Sequence, residues 1–551
     1  IYATSKLILK ANSTAANPKI IDSNNCIFSI KTEINGPGSH YELLSDFISI
    51  DNILLISGSI KTNAHDFNLG SFTMSSGTEL NMSTSNATIQ NSFIQNAGST
   101  LIQSGSNFIF QSTMAGSINV QNQILDTLIF YSENSTFNGN NNTVNYIKQI
   151  GVSGKLNIGA LTSTFKKVEC YNDFRNIQST LIDTLILYPA TRCTLNNLTI
   201  VDSLRAESNC GMGQILLQGN TPTVNALLSS KAIHVSGCII TGFKFSQLAG
   251  VGSMTAISSS NFGGNTNVQF TNNTSRTLYW VNGEGYWIDD WHWSNSSGGS
   301  PNECIPTQLD TVIFDNNSGF ITGNDSIFLN SNLIYCKDVI CLNTVGPVIK
   351  FHTYSSSFKF NIKGNFTGSP NSRFGTLTFN KTNGSSNFIQ NGSQISTINI
   401  DSTLIFNVID SINISALSLT AGTFDSNTNK VKLNSLNGSN ASTVCILDSS
   451  YVEVFGISVP GINLSAIRTY FNIIGTSFNV GANRNLWKVV FDQNNVTLSM
   501  TASQVEYIEV GTLIATGSSN LTFGSISPET NTNLDSYIKR LKLNGGATIN
   551  G

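Results

Sequence analysis

Charge is scarce in this chain. Only 11% of its 551 residues are Asp, Glu, Lys or Arg, and the net charge is −3; ordinary globular domains carry about a quarter charged residues. A nucleic-acid partner would want a basic face, which this balance does not supply. A polybasic membrane patch and an acidic tail are excluded on the same ground. Helix formers at 3.6-residue spacing are also rare, because Asn or Gly interrupts almost every window. No run of 18 apolar residues occurs, so no transmembrane helix and no membrane insertion is expected. Proline, with 10 residues, is too infrequent for the turns of a β-sandwich of this length. The nine cysteines include no C-x-x-C pair and hence no zinc-ribbon signal. Their number is odd, so at least one is expected to be free or paired elsewhere. No signal peptide stands at Ile1 and the sequence pattern runs through both ends, which reads as a segment of something longer.

What the chain does contain is Ser, Thr, Asn and Gly around short apolar alternations. Runs of four to six residues with period two recur throughout, among them NFIFQS, SINVQ, DTLIF, LTIVDS and TINID. Short strands with polar, small-residue corners, in a chain far too long for one ordinary core, predict an all-β fold. The specific expectation is a right-handed parallel β-helix, or solenoid. Internal repeats point the same way. Gly58 aligns on Gly422, and Ile60, Phe67, Leu69 and Phe72 then fall on Phe424, Val431, Leu433 and Leu436 without a gap. A second match runs from Thr127 onto Thr512. Apolar character is kept at one set of positions while the others drift, as a core-facing constraint requires. These residues and Leu55 are expected to point into one continuous core. The repeat is therefore several hundred residues long, giving two solenoid modules, 1–274 and 275–551.

One stretch occurs once, Thr277 to Ser318. Four of the five tryptophans, Trp280, Trp287, Trp291 and Trp293, lie within it. Two readings are open. Exposed indoles could stack on pyranose rings, with Asp289, Asp290 and His292 as polar neighbours. Alternatively, residues 275–318 form a cap or junction that covers the open end of a solenoid core. In the cap reading Gly283 and Gly285 provide a tight chain path, and Pro306 and Phe314 pack close to the indoles. Asp310 is expected to satisfy backbone N–H groups of a turn. Asp310 and Asp315 could contribute to a calcium site, but an all-oxygen site needs six or more ligands and no dense Asp run is present. No other metal and no cofactor is suggested.

The Trp stretch resembles a signature of the giant repeat-containing surface adhesins of gliding flavobacteria and other Bacteroidetes, the SprB-like adhesins. The residues that carry it are Tyr279, Trp280, Val281, Gly283, Gly285, Trp287, Asp289, His292, Trp293 and Ser294, followed by Ser297, Gly298, Gly299, Pro306, Thr307, Asp310, Val312, Phe314 and Asp315. Asn282 stands where that pattern has its first Gly, and Trp291 is additional. The resemblance implies export by the type IX system and display on the cell surface, with gliding or secretion machinery engaged through regions outside this segment.

In an exported protein, Cys304 and Cys336 read as a disulfide tying the cap loop to the coil; two free buried thiols are the other reading. The family also implies O-linked glycans at Asp-Ser/Thr tripeptides completed by an aliphatic residue (by Thr403 in one case). Their hydroxyl residues here are Thr127, Thr184, Ser203, Thr311, Ser326, Ser402 and Ser411. Asx-turn chemistry accounts for the same tripeptides without modification.

Catalysis finds little support. The five histidines are scattered, and no Ser-His-Asp or paired-carboxylate arrangement is visible. The function expected is that of a non-enzymatic spacer or adhesive segment in a long surface filament, meeting an extracellular surface or polysaccharide. A carbohydrate-binding or polysaccharide-cleaving β-helix is the alternative.

Overall fold

The computed structural model describes the chain from Lys6 to Asn550 except for short internal stretches, the longer ones at 220–225, 246–253, 511–519 and 525–536. The fold is a β-solenoid. The chain divides into two compact units, Ile1–Asn273 and Thr274–Gly551. In each, short strands pair parallel with the strand one coil earlier and the strand one coil later. The single antiparallel pairing among the described strands joins Thr277–Trp280 to Trp293–Ser294. The only helical residues described form one 3-10 turn, Asp290–His292. No helix among the described residues is long and apolar enough to cross a membrane.

The coil length follows from the register. In the first unit Phe110 pairs with Phe130, Phe130 with Gln149, Gln149 with Cys170 and Cys170 with Leu187. The steps are therefore 20, 19, 21 and 17 residues. Within the strand Ile124–Phe130 the inward residues alternate, but the alternation breaks once. Leu125, Leu128 and Phe130 are all buried, so one interval is three residues rather than two. The chain turns a corner at Asp126–Thr127 between two inward-facing runs. The same spacing recurs at Val144 and Ile147, at Phe165 and Val168, at Ile182 and Leu185, and at Val201 and Leu204, all of them buried. The corner residues therefore stack as well. Asn145 Nδ2 donates to Asp126 Oδ1 at 3.1 Å, and Lys166 Nζ lies 3.0 Å from Asp183 Oδ2.

Cores of this kind are ladders of like residues. Leu128, Ile147, Val168, Leu185 and Leu204 follow one another in register. Each such buried side chain contributes about 1.5–3 kcal/mol. Phenylalanines stack at nearly the coil pitch: Phe110 on Phe130 at 4.9 Å in the first unit, and Phe366 on Phe388 at 5.1 Å in the second. Those spacings approach the ~4.8 Å between paired strands. Leu55, Ile60, Phe67, Leu69 and Phe72 are all buried, as are their repeat partners Phe424, Val431, Leu433 and Leu436. The aligned glycines also share a role. Gly58 (φ +90°) and Gly422 (φ +75°) both take the left-handed conformation. A Cβ on either would strike the backbone of the preceding coil, at Ser39 and Ser402 respectively. The second repeat match, from Thr127 to the segment at Thr512, falls partly outside the described residues.

Candidate functional site: the tryptophan-rich segment

The Trp-rich segment builds the first coil of the second unit. Thr277–Trp280 runs parallel to Thr311–Phe314, with Leu278 opposite Val312, and Gly285–Tyr286 runs parallel to Ser326–Leu329. After Gly285–Tyr286 the chain folds back through the 3-10 turn to Trp293–Ser294, which lies antiparallel to Thr277–Trp280. Asp289 caps that turn, its Oδ1 accepting from the Trp291 N–H at 3.0 Å. Asn282, which takes the place of a glycine in the resembling pattern, has φ +64°. Asn is among the few residues that enter that region readily, and its Nδ2 donates to the Trp291 carbonyl at 2.8 Å. The substitution therefore keeps the backbone conformation and adds a hydrogen bond.

Trp280, Trp287 and Trp293 are fully buried. Trp293 meets Trp280 edge-to-face at 5.1 Å and Trp287 edge-to-face at 4.9 Å. Trp287 also lies 4.9 Å from Phe360, and Trp293 lies 6.3 Å from Phe314, so the cluster is continuous with the aromatic core of the coils that follow. Trp280 Nε1 donates to Gly283 O at 2.7 Å and Trp293 Nε1 to Trp287 O at 2.9 Å. Trp287 Nε1 has no hydrogen-bond acceptor. His292 stacks on Trp280 at 4.7 Å, with 8° between the ring planes, and its Nδ1 lies 3.0 Å from Val281 O. Gly285 is required by that ring, because a Cβ there would overlap His292. The histidine is thus occupied as a packing piece. The three indoles are not a solvent-facing platform.

Trp291 departs from the expected cluster and is 54% exposed. A 3-10 turn advances about three residues per revolution, so the turn that buries His292 and leads into Trp293 leaves Trp291 outside. Pro306 is buried in the loop that follows.

Asp310 does satisfy backbone groups, and it does more. Its carboxylate accepts from the N–H of Arg276 at 2.8 Å and from the N–H of Thr307 at 2.8 Å. The Arg276 guanidinium grips both oxygens, Nη2 to Oδ2 at 2.7 Å and Nε to Oδ1 at 3.2 Å. Arg276 also donates to the carbonyls of Cys304 and Ile305. The Asp310 side chain is 1% exposed and that of Arg276 27%. Each carboxylate oxygen thus accepts two hydrogen bonds, one from the Arg276 guanidinium and one from a backbone N–H. The Asp315 carboxylate accepts from the Asn317 N–H at 2.9 Å. Among the described residues no three His, Cys, Asp or Glu side chains gather to hold a metal. Arg276 is the residue that sequence reading missed. It lies 34 positions from Asp310 and outside the recurrent pattern, so only the folded register brings the two together.

The Cys304–Cys336 bridge is not formed. Cys336 is a free, buried thiol, paired in register with Ile362 in the apolar column of its coil. Burial pushes its thiol well up. It serves as a small apolar core residue rather than a tether.

The seven tripeptide hydroxyls sit on or beside coil corners. Ser411 is exposed; Thr127, Thr184, Ser203, Thr311, Ser326 and Ser402 are half-buried. Thr311 Oγ1 donates to Asp338 Oδ2 at 3.2 Å and Ser402 Oγ to Lys381 O at 2.6 Å. Both of these bonds reach the neighbouring coil rather than closing a turn within the tripeptide.

Outward-facing aromatics and charges form ladders that sequence reading also missed, because partners stand one coil apart. In the first unit Tyr171 stacks on Tyr188 at 3.8 Å, and Lys148 and Lys167 lie over Tyr171 and Tyr146. Glu169 accepts from Tyr146 Oη at 2.8 Å and pairs with Lys167 at 2.6 Å. Burial opposes ionisation of Glu169, but those two donors outweigh it and hold the carboxyl below its ordinary range. In the second unit Lys430 lies over Tyr451 and Lys488 over Tyr470, and the two tyrosine rings meet at 5.0 Å with a 37° tilt.

No family model matches the chain, and neither a curated protein nor a solved structure matches it.

Proposed function

We propose that this chain is a structural repeat segment of a long cell-surface adhesin or filament, a stiff spacer rather than an enzyme. One observation carries the reading. In each unit nearly every described strand is paired in register with the coil before and the coil after it, so backbone hydrogen bonds run along the axis. A rod of that kind resists bending where a Gly/Ser linker would not. The ionisable groups that come together on its faces, such as Lys167 with Glu169 and Lys432 with Glu453, are ion pairs that support the ladders. The resemblance of the Trp segment to the surface adhesins of gliding Bacteroidetes supplies the setting: export, surface display, and contact with an extracellular surface or polysaccharide. O-glycans at the corner hydroxyls would hydrate a weakly charged rod and discourage lateral association.

The experiment is antibody labelling of intact source cells, followed by protease shaving and glycopeptide analysis of what is released. Labelling before permeabilisation is expected, with glycan on at least Ser411, the exposed hydroxyl of the seven. Labelling confined to permeabilised cells would sink the surface assignment. Unmodified peptides at all seven positions would leave the Asx-turn explanation alone.

A further inference from the structure

Three residues on successive coils of the second unit stand in one register column. Ile362 pairs with Phe379, and Phe379 with Ile400. The next residue on each coil is Lys363, Asn380 and Asp401. Backbone hydrogen bonds confirm the column: Asn380 N–H to Ile362 O and Asp401 N–H to Phe379 O, each 3.2 Å. An amine, a carboxamide and a carboxyl are therefore stacked in that order at the coil pitch, with the amide in the middle.

Their environment is specific. Lys363 is half-buried, and its Nζ donates to the Asn380 main-chain carbonyl at 2.7 Å, which holds the amine beside that residue. Asn380 Nδ2 donates to Asn361 Oδ1 at 2.8 Å, so the carboxamide is oriented. Its Oδ1 is buried with no hydrogen-bond partner. A buried acceptor left unpaired is costly, and a protonated carboxyl on the next coil would satisfy it. Burial lowers the Lys363 amine and raises the Asp401 carboxyl, against the opposing pull of nearby charges. Lys359 Nζ, 3.8 Å from Asp401 Oδ2, is the other cation at the carboxyl. Desolvation thus favours the neutral amine, and it acts more weakly on the Asp401 carboxyl, whose residue is exposed with a side chain 29% accessible.

We propose that Lys363 and Asn380 condense to an intramolecular amide, with Asp401 as the proton shuttle. The Lys363 Nζ lone pair attacks Asn380 Cγ while protonated Asp401 donates to Oδ1 and polarises the carbonyl. The Cγ–Nδ2 bond then breaks. Nδ2 departs as ammonia with the proton released by the amine, and Asp401 recovers its own. One C–N bond replaces another, one ammonia is lost, and no oxidant or co-reactant is needed. The product ties neighbouring coils covalently across 17 residues, as a disulfide closing a loop of that size would. In a solenoid that unravels from its ends, such a bond arrests peeling at that coil.

The test is the intact mass of the full chain, purified, reduced and denatured, followed by peptide mapping. The wild type is expected one ammonia lighter than its sequence, with a branched peptide joining Lys363 to Asn380. Lys363→Met and Asp401→Asn should each restore the full sequence mass. A wild-type chain at full mass overturns the proposal. So does ammonia loss that maps to a succinimide at an Asn-Gly turn such as Asn383–Gly384, or an Asp401→Asn chain that still carries the branched peptide. The wild-type result stands whether or not a variant folds.

Discussion

Trp287→Ala is expected to destabilise the second unit by about 3–5 kcal/mol, the range for truncating a large buried aromatic. Denaturant unfolding followed by tryptophan fluorescence measures it. The indole is fully buried and touches Trp293 and Phe360 edge-to-face, so its loss opens a cavity that those rings border. The hydrogen bonds sharpen the test. Trp287 Nε1 has no acceptor, whereas Trp293 Nε1 donates to Trp287 O. Trp287→Phe should therefore be tolerated better than Trp293→Phe, which loses packing and also leaves that buried carbonyl without its donor. Equal costs for the two Phe variants, or a Trp287→Ala cost near zero, would contradict the packing described.

The second large effect lies at Arg276. Arg276→Met removes the guanidinium that binds both oxygens of a carboxylate only 1% exposed. Breaking one side of a buried pair typically costs about 3–5 kcal/mol, mostly because the remaining charge is left uncompensated. Two backbone N–H groups still face Asp310, so the lower part of that range is expected. Removing both charges, as Arg276→Met with Asp310→Leu, should cost less than the sum of the two single changes. A strictly additive double variant would mean that the two side chains are not coupled.

The inward set of the solenoid was legible in the sequence because one physical signal repeats. Period-two alternation marks which residues enter the core, and the alignment of Gly58 on Gly422 marks where two coils pass close. The tight path through the Trp segment was legible too, since Gly283 and Gly285 have few substitutes there. What was not legible is everything that depends on the coil-to-coil register. Coil steps vary between 17 and 21 residues even within one regular stretch, so a sequence does not say which outward residues become neighbours. The Tyr–Lys ladders, the grip of Arg276 on Asp310 and the Lys363–Asn380–Asp401 column all fall in that class. The Cys304–Cys336 expectation failed for a related reason. Spacing alone did not reveal that Cys336 occupies an inward position in register with Ile362. Trp291 was grouped with its neighbours by composition, and a three-residue turn separated it.

Mechanical unravelling of single molecules in an optical trap tests the central claim, stacked coils within each unit, most directly. Nearest-neighbour stacking predicts that coils peel from an end one at a time. Each should release the residues of one coil, 17 at a short step and 29 at a long one such as Ser203 to Ala232, or about 60–100 Å of extended chain. A ladder of single-coil steps, interrupted in the second unit where the proposed Lys363–Asn380 bond holds its coil, is the result this account predicts. Release of a whole unit in a single step would contradict it.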